Sequence, residues 1–127
     1  MTANDCRFHF TRFRQIVWPD FIEHDDCIFA VDERPFPVSI YRDWFVSLNG
    51  DRPRIEAVMN HEHIVDLLEG YVSDPDRDLI LQIGRFLRDA WTTKLMHDFP
   101  NRSFTVLFDE SDTDDLVDYE ITFFQAA

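Results

Sequence analysis

Residues 79–96 read LILQIGRFLRDAWTTKLM and carry the longest amphipathic pattern in the chain. At about 100° per residue, Phe86, Leu79, Ala90, Ile83, Leu87, Ile80, Trp91 and Leu95 fill a continuous arc of roughly half a turn. Arg88, Thr92, Arg85, Asp89, Gln82 and Thr93 occupy the rest. An apolar arc that wide buries against a sheet or several helices rather than along a narrow coiled-coil seam. Ser73 or Asp74 ahead of Pro75 signals the start, Asp76 and Asp78 put carboxylates in the first turn, and Pro100 marks the stop. The spacing predicts a core helix onto which the other segments pack.

On its C-terminal side lie two runs rich in aromatic and β-branched residues, 104–108 (FTVLF) and 119–124 (YEITFF), which read as strands. The acidic stretch DESDTDDLVD at 109–118 separates them, so the simplest arrangement is an antiparallel pair with a long loop. In the last strand Tyr119, Ile121 and Phe123 alternate with Glu120, Thr122 and Phe124, as suits a sheet with one face on the core.

On the N-terminal side, Phe10, Phe13, Ile16 and Val17 share a helical face within residues 5–18, although residues 8–11 alternate like a strand. Pro19 ends any helix there. Residues 21–26 (FIEHDD) read as a polar connection, and 27–31 (CIFAV) as a buried strand. After a turn at 33–37, Pro37 or Ser39 opens a helix through Leu48, stopped by Asn49 and Gly50. Residues 54–59 read as a strand with Ile55, Ala57 and Met59 on one face. Asn60 then caps a short helix over 61–69, closed by Gly70. The expected class is α+β: one domain over 1–127, with a roughly four-stranded, mostly antiparallel sheet packed against three to four helices and ending in a strand pair.

Composition fits one ordinary domain. A hydrophobic fraction of 45% and thirteen phenylalanines argue against disorder, and three glycines leave little room for flexible linkers. No apolar run approaches the length of a membrane span and the N-terminus lacks a signal-peptide layout, so the expected location is cytoplasmic. Cys6 and Cys27 are too few and too far apart for a disulfide framework or zinc knuckle, and are expected to be free packing residues. The dominant global property is charge: twenty-five carboxylates against twelve basic residues give −13. Such a field repels phosphate backbones and anionic lipid, disfavouring direct nucleic-acid or membrane binding, and favours a basic protein partner. The aromatic content also exceeds what one small core needs, which leaves residues for a homodimer surface.

The motifs that carry chemistry are incomplete. Asp74, Asp76 and Asp78 have the opening spacing of a calcium loop, but Leu79 stands where its glycine belongs and Arg85 where its glutamate belongs. His61 and His63, placed on a helix, stand about 200° apart and do not converge, with His61 beside Ile64 and Leu68 and His63 outside; on a strand they would share a face. No HExxH, glycine-rich phosphate loop, GxSxG or CxxC is present. No catalytic residue, metal ligand or cofactor is therefore assigned.

The expected function is a non-enzymatic acidic binding module that inhibits a partner by covering its basic, nucleic-acid-binding surface. A toxin-neutralising immunity protein and a phage-type inhibitor of a defence nuclease complex are examples. The expected docking carboxylates are Asp109, Glu110, Asp112, Asp114, Asp115 and Asp118 of the loop, with Asp74, Asp76 and Asp78 at the head of the core helix. The alternative is a small hydrolase or metal-dependent enzyme built on Glu23, His24, Asp25 and Asp26, with His61 or His63.

Overall fold

The computed structural model describes residues 3–110 and 113–126, those at 3–6 and 8 by backbone alone. The chain runs α1 (Ala3–Val17), β1 (Asp20–His24), β2 (Cys27–Val31), α2 (Val38–Ser47), α3 (Arg52–Met59), β3 (Glu62–His63), α4 (Ile64–Leu67), α5 (Arg77–Asp98), β4 (Phe104–Phe108), a 3₁₀ turn (Leu116–Asp118) and β5 (Glu120–Gln125). It is an α+β fold, as the patterning predicts.

The core helix is α5. Its N-cap is Asp76, whose carboxylate accepts from the Leu79 amide at 2.8 Å, so the start lies past Pro75 rather than at Ser73 or Asp74. Phe99 closes the helix by donating its N–H to the Leu95 carbonyl, one residue before Pro100. Ile80, Leu87, Trp91 and Leu95 are buried, whereas Phe86, at one end of the predicted arc, is 56% exposed. Gly84 lies directly under the Phe108 ring, and a Cβ there would overlap the ring, so glycine is what lets α5 approach β4 so closely.

That helix covers an antiparallel sheet of order β3-β5-β4. The register runs from Phe104 opposite Gln125 to Phe108 opposite Ile121. Tyr119, Ile121 and Phe123 are fully buried, as their alternation predicts. On the other edge of β5, His63 stands opposite Glu120 and Glu62 opposite Ile121.

Three expectations fail, each for a local reason. Residues 21–26 are not a polar connection: β1 pairs with β2 from Asp20 opposite Val31 to His24 opposite Cys27. Asp25 and Asp26 carry φ of 53° and 65°, a two-residue turn whose hand matches the strand twist and which aspartate tolerates. Residues 54–59 are not a strand but belong to α3, because Asp51 accepts from the Arg54 amide as N-cap and Pro53 sits in the first turn. Ile55 and Met59 are four residues apart, a spacing that helix and strand alternation share. Asn60 closes α3 instead of opening a helix over 61–69, and that helix shrinks to α4 with His63 at its N-cap.

The expected single sheet is thus two, of two and three strands, and α3 joins them by side chains. The buried Glu56 carboxylate accepts from the Ile28 amide of β2 at 2.8 Å, and from the Gln125 amide of β5 at 2.9 Å. Gln125 Nε2 donates to it as well, at 2.7 Å. One turn on, Asn60 accepts from the Ala30 amide at 3.1 Å and donates to the Ile28 carbonyl at 3.0 Å and the Phe123 carbonyl at 3.4 Å. Alternate residues of β2 serve two apolar clusters: Ile28 packs with α5 and β5, Cys27 and Phe29 with Tyr41 and Ile55. Among the described residues no helix is long and apolar enough to cross a membrane.

Removing the Glu56 carboxylate leaves two backbone donors without their acceptor, at about 1–3 kcal/mol each. Glu56→Ala is expected to lower stability by about 2–6 kcal/mol in urea denaturation. A loss below about 1 kcal/mol would show that this bridge is dispensable.

Candidate functional site

The two acidic segments singled out in the sequence meet at one end of the molecule. Arg77, between Asp76 and Asp78, donates from Nε to the Tyr119 hydroxyl at 2.8 Å, and that hydroxyl donates to the Thr113 carbonyl at 3.4 Å. This bridge ties the head of α5 to the loop before β5. Asp74, Asp76, Asp78, Asp114, Asp115 and Asp118 are all exposed there, with Val117 among them 42% exposed.

The carboxylates are not equivalent. Asp76 caps α5, and Asp115 caps the 3₁₀ turn by accepting from the Val117 amide at 3.2 Å. Asp118 accepts from the Thr113 hydroxyl at 3.0 Å. Glu110 turns back onto α5, 2.6 Å from Arg85 Nη2 and 3.7 Å from Arg88 Nη1. The Asp109 amide donates to the Glu120 carbonyl at 2.9 Å. Asp112 lies outside the described residues.

The cluster Glu23, His24, Asp25 and Asp26 is the β1–β2 turn and is built into the fold by its neighbours. Asp25 accepts from the Tyr41 hydroxyl and from Arg52 Nη2 at 3.2 Å, while Arg52 Nε donates to the Asp25 carbonyl at 2.9 Å. Arg102 pairs with Glu23 and donates to the Asp26 carbonyl at 3.0 Å. The His24 ring packs between Phe36 and Tyr41, at centroid distances of 5.0 and 4.8 Å. Cys27, a free thiol beside this turn, is fully buried, and burial followed by the Glu56 charge pushes its pKa up to about 11. It stays protonated at neutral pH and is no nucleophile. The Cys6 side chain lies outside the described residues.

His61 and His63 stand differently from the sequence expectation. His63 lies in β3 and His61 just before it, and the two rings stand on the same side with centroids 5.4 Å apart. His61 is exposed and His63 half-buried, the reverse of the expected order. Among the described residues, His61, His63 and Glu120 form a trio whose potential ligand atoms lie within 4.8 Å of one another. The i, i+2 spacing was visible in the sequence, but the strand register that adds Glu120 was not.

A cleft of about 550 Å³, lined by Ile16, Phe36, Met59, Leu67 and Trp91 with Arg12 and Arg34, lies between α1 and the chain after β2. Aromatic residues are also left on the surface. Phe10 and Phe13 of α1 are 68% and 55% exposed, and Ile40, Trp44, Phe45 and Val46 are exposed at different points around α2, with Ile40 and Trp44 one turn apart on the same side. No family model matches the chain, and no curated protein or solved structure is significantly similar to it.

The Tyr41 hydroxyl first, then Arg52, hold the Asp25 pKa below its ordinary 3.8. A carboxylate depressed in the folded state stabilises above its unfolded value, and that contribution is lost as pH falls through the folded value. Tyr41→Phe is therefore expected to move the Asp25 titration upward and to bring the acid-unfolding limb to higher pH. Carboxyl-carbon NMR titration reads the first effect, and an Asp25 midpoint unmoved by the substitution would dissociate it from Tyr41.

Proposed function

We propose that this chain is a non-enzymatic protein-binding module that inhibits a basic partner by covering its nucleic-acid-binding surface. The observation that carries the reading is the convergence of two acidic segments, at the head of α5 and before β5, on one end of a chain with net charge −13. Asp74, Asp78 and Asp114 make the docking charge, since the caps Asp76 and Asp115 and the turn-bound Asp118 hold the surface in shape. Val117 supplies an apolar contact inside the acidic rim, the arrangement of a protein interface. A nuclease toxin neutralised by its immunity protein, or a defence complex blocked by a phage-type inhibitor, has the required chemistry. A reducing cytosol is the matching compartment.

Rim carboxylates act chiefly on association, because opposite charge steers encounter and salt screens it. Immobilised protein is expected to capture from a source-cell extract a basic protein whose nucleic-acid binding stops at one equivalent of this chain. Asp74→Asn, Asp78→Asn and Asp114→Asn together should slow association several-fold at low salt, by less at high salt, with dissociation little changed. Unaltered association would move the interface elsewhere. A partner that still binds nucleic acid in the complex would overturn the inhibitor reading.

The exposed apolar side chains of α2 favour a second reading, self-association into a homodimer through the side that carries Ile40 and Trp44. Ile40, Trp44 and Val46 are 50%, 36% and 77% exposed on one short helix. Light scattering at high concentration is expected to give twice the 15.2 kDa chain mass, reduced to the monomer by Trp44→Glu. A wild-type monomer removes this reading.

A further inference from the structure

We propose that His61, His63 and Glu120 bind a divalent first-row transition-metal ion, with zinc as the ion the donor set fits. The site is independent of the acidic docking reading. Its ligands come from two places. His63 lies in β3 and His61 just before it, with their rings on the same side at a centroid distance of 5.4 Å. The antiparallel register then sets Glu120 directly across from His63, at the spacing where cross-strand side chains meet.

The hydrogen bonds orient both rings for coordination. His61 Nδ1 lies 2.6 Å from the Val58 carbonyl, and His63 Nδ1 lies 2.6 Å from the Val117 carbonyl. A carbonyl oxygen only accepts, so each Nδ1 carries a hydrogen, and the neutral form of each ring has its lone pair on Nε2. An imidazole whose second nitrogen donates to a backbone carbonyl is the usual state of a metal-bound histidine, with tautomer and ring angle held from behind.

In front, His63 Nε2 stands 3.4 Å from Glu120 Oε1. A lone pair and a carboxylate oxygen facing each other are two acceptors, and a cation between them resolves the contact. Tetrahedral zinc with ligands at about 2.0–2.1 Å separates neighbouring donors by roughly 3.3 Å, so this pair already has the spacing of one edge. The three ligand atoms lie within 4.8 Å of one another, and exposed His61 can close the remaining distance by a small tilt about its Nδ1–Val58 contact. Two imidazoles and one carboxylate suit zinc and similar ions rather than calcium, which takes six to eight oxygen ligands. Three protein ligands also leave a coordination position for water or for a group on a partner. The net charge of −13 favours cation approach. An ion here would join the segment after α3 to β5, and through the Val117 carbonyl would brace the acidic turn.

The experiment uses the full chain, freed of any histidine tag, stripped with chelator and titrated with zinc chloride against a chromophoric competitor. One equivalent is expected to bind. The imidazole resonances of both His61 and His63 should shift together, and the thermal midpoint should rise with zinc concentration. His61→Ala, His63→Ala and Glu120→Gln are each expected to weaken zinc by at least the roughly 10–100-fold seen for supporting groups of metal sites. Their thermal midpoints without metal serve as the folding control, and if one variant is unfolded the other two decide. Asp114→Asn combined with Asp78→Asn should leave affinity within about threefold, a change under 1 kcal/mol. No saturable binding would overturn the proposal. So would zinc binding unchanged in the His61→Ala, His63→Ala double variant, or stoichiometric displacement of zinc by equimolar calcium.

Discussion

Two side chains one turn apart on α3, Glu56 and Asn60, do the work that a continuous backbone ladder does in an ordinary sheet. Between them they accept from the amides of Ile28, Ala30 and Gln125 and donate to the carbonyls of Ile28 and Phe123. Those groups lie on strands of two separate sheets, where unpaired and buried they would each carry a desolvation cost. A fully buried carboxylate is tolerated here because three N–H donors replace its water. The helix also closes the apolar cluster of Cys27, Phe29 and Tyr41 through Ile55. The hairpin, the three-stranded sheet and α2 all take their positions from α3.

The surplus of carboxylates divides by what each side chain touches. Asp51, Asp76 and Asp115 cap helices or turns, Asp25 and Glu23 are held by arginines at the hairpin, and Glu110 is held by Arg85 and Arg88. Acids in those roles stabilise local structure, since a carboxylate near a helix N-terminus or an arginine is favourable where an isolated one is neutral at best. The exposed acids outside those roles include Asp74, Asp78 and Asp114 around the head of α5 and the 3₁₀ turn, and also Glu33, Asp43, Asp66 and Glu69. Net charge alone overstates the charge available to a partner.

The hairpin turn and the histidine trio show how one local conformation decides the chemistry. Glu23 to Asp26 form a hairpin turn at Asp25 and Asp26, where Arg52, Arg102 and Tyr41 hold its acids and its backbone. His61 and His63 move the opposite way. On a helix they diverge, but with His63 in β3 and His61 just before it they come together, and Glu120 joins them from across the ladder. The Val117 carbonyl behind His63 belongs to the acidic turn, so the trio and the exposed carboxylates are mechanically connected.

Much of the architecture is legible without coordinates. The apolar arc of residues 79–96, the Asn49–Gly50 stop after α2, the strand at 27–31, buried over its first three residues, and the alternation of Tyr119, Ile121 and Phe123 are local signals, decided by periodicity and by backbone preference within a few residues. Residues 54–59 were illegible because Ile55 and Met59 satisfy two periods at once, and only the Asp51 cap and Pro53 break the tie. The first strand hid because its turn is made by aspartates rather than by glycine. For the sites, the sequence determined which residues are chemically able: the carboxylates, and two histidines at i, i+2. Which of them meet depends on pairings across long stretches of chain, Arg77 with Tyr119 and His63 with Glu120. No local pattern encodes such a register; it follows from how apolar faces fit together in the folded core, and only the tertiary structure decided it.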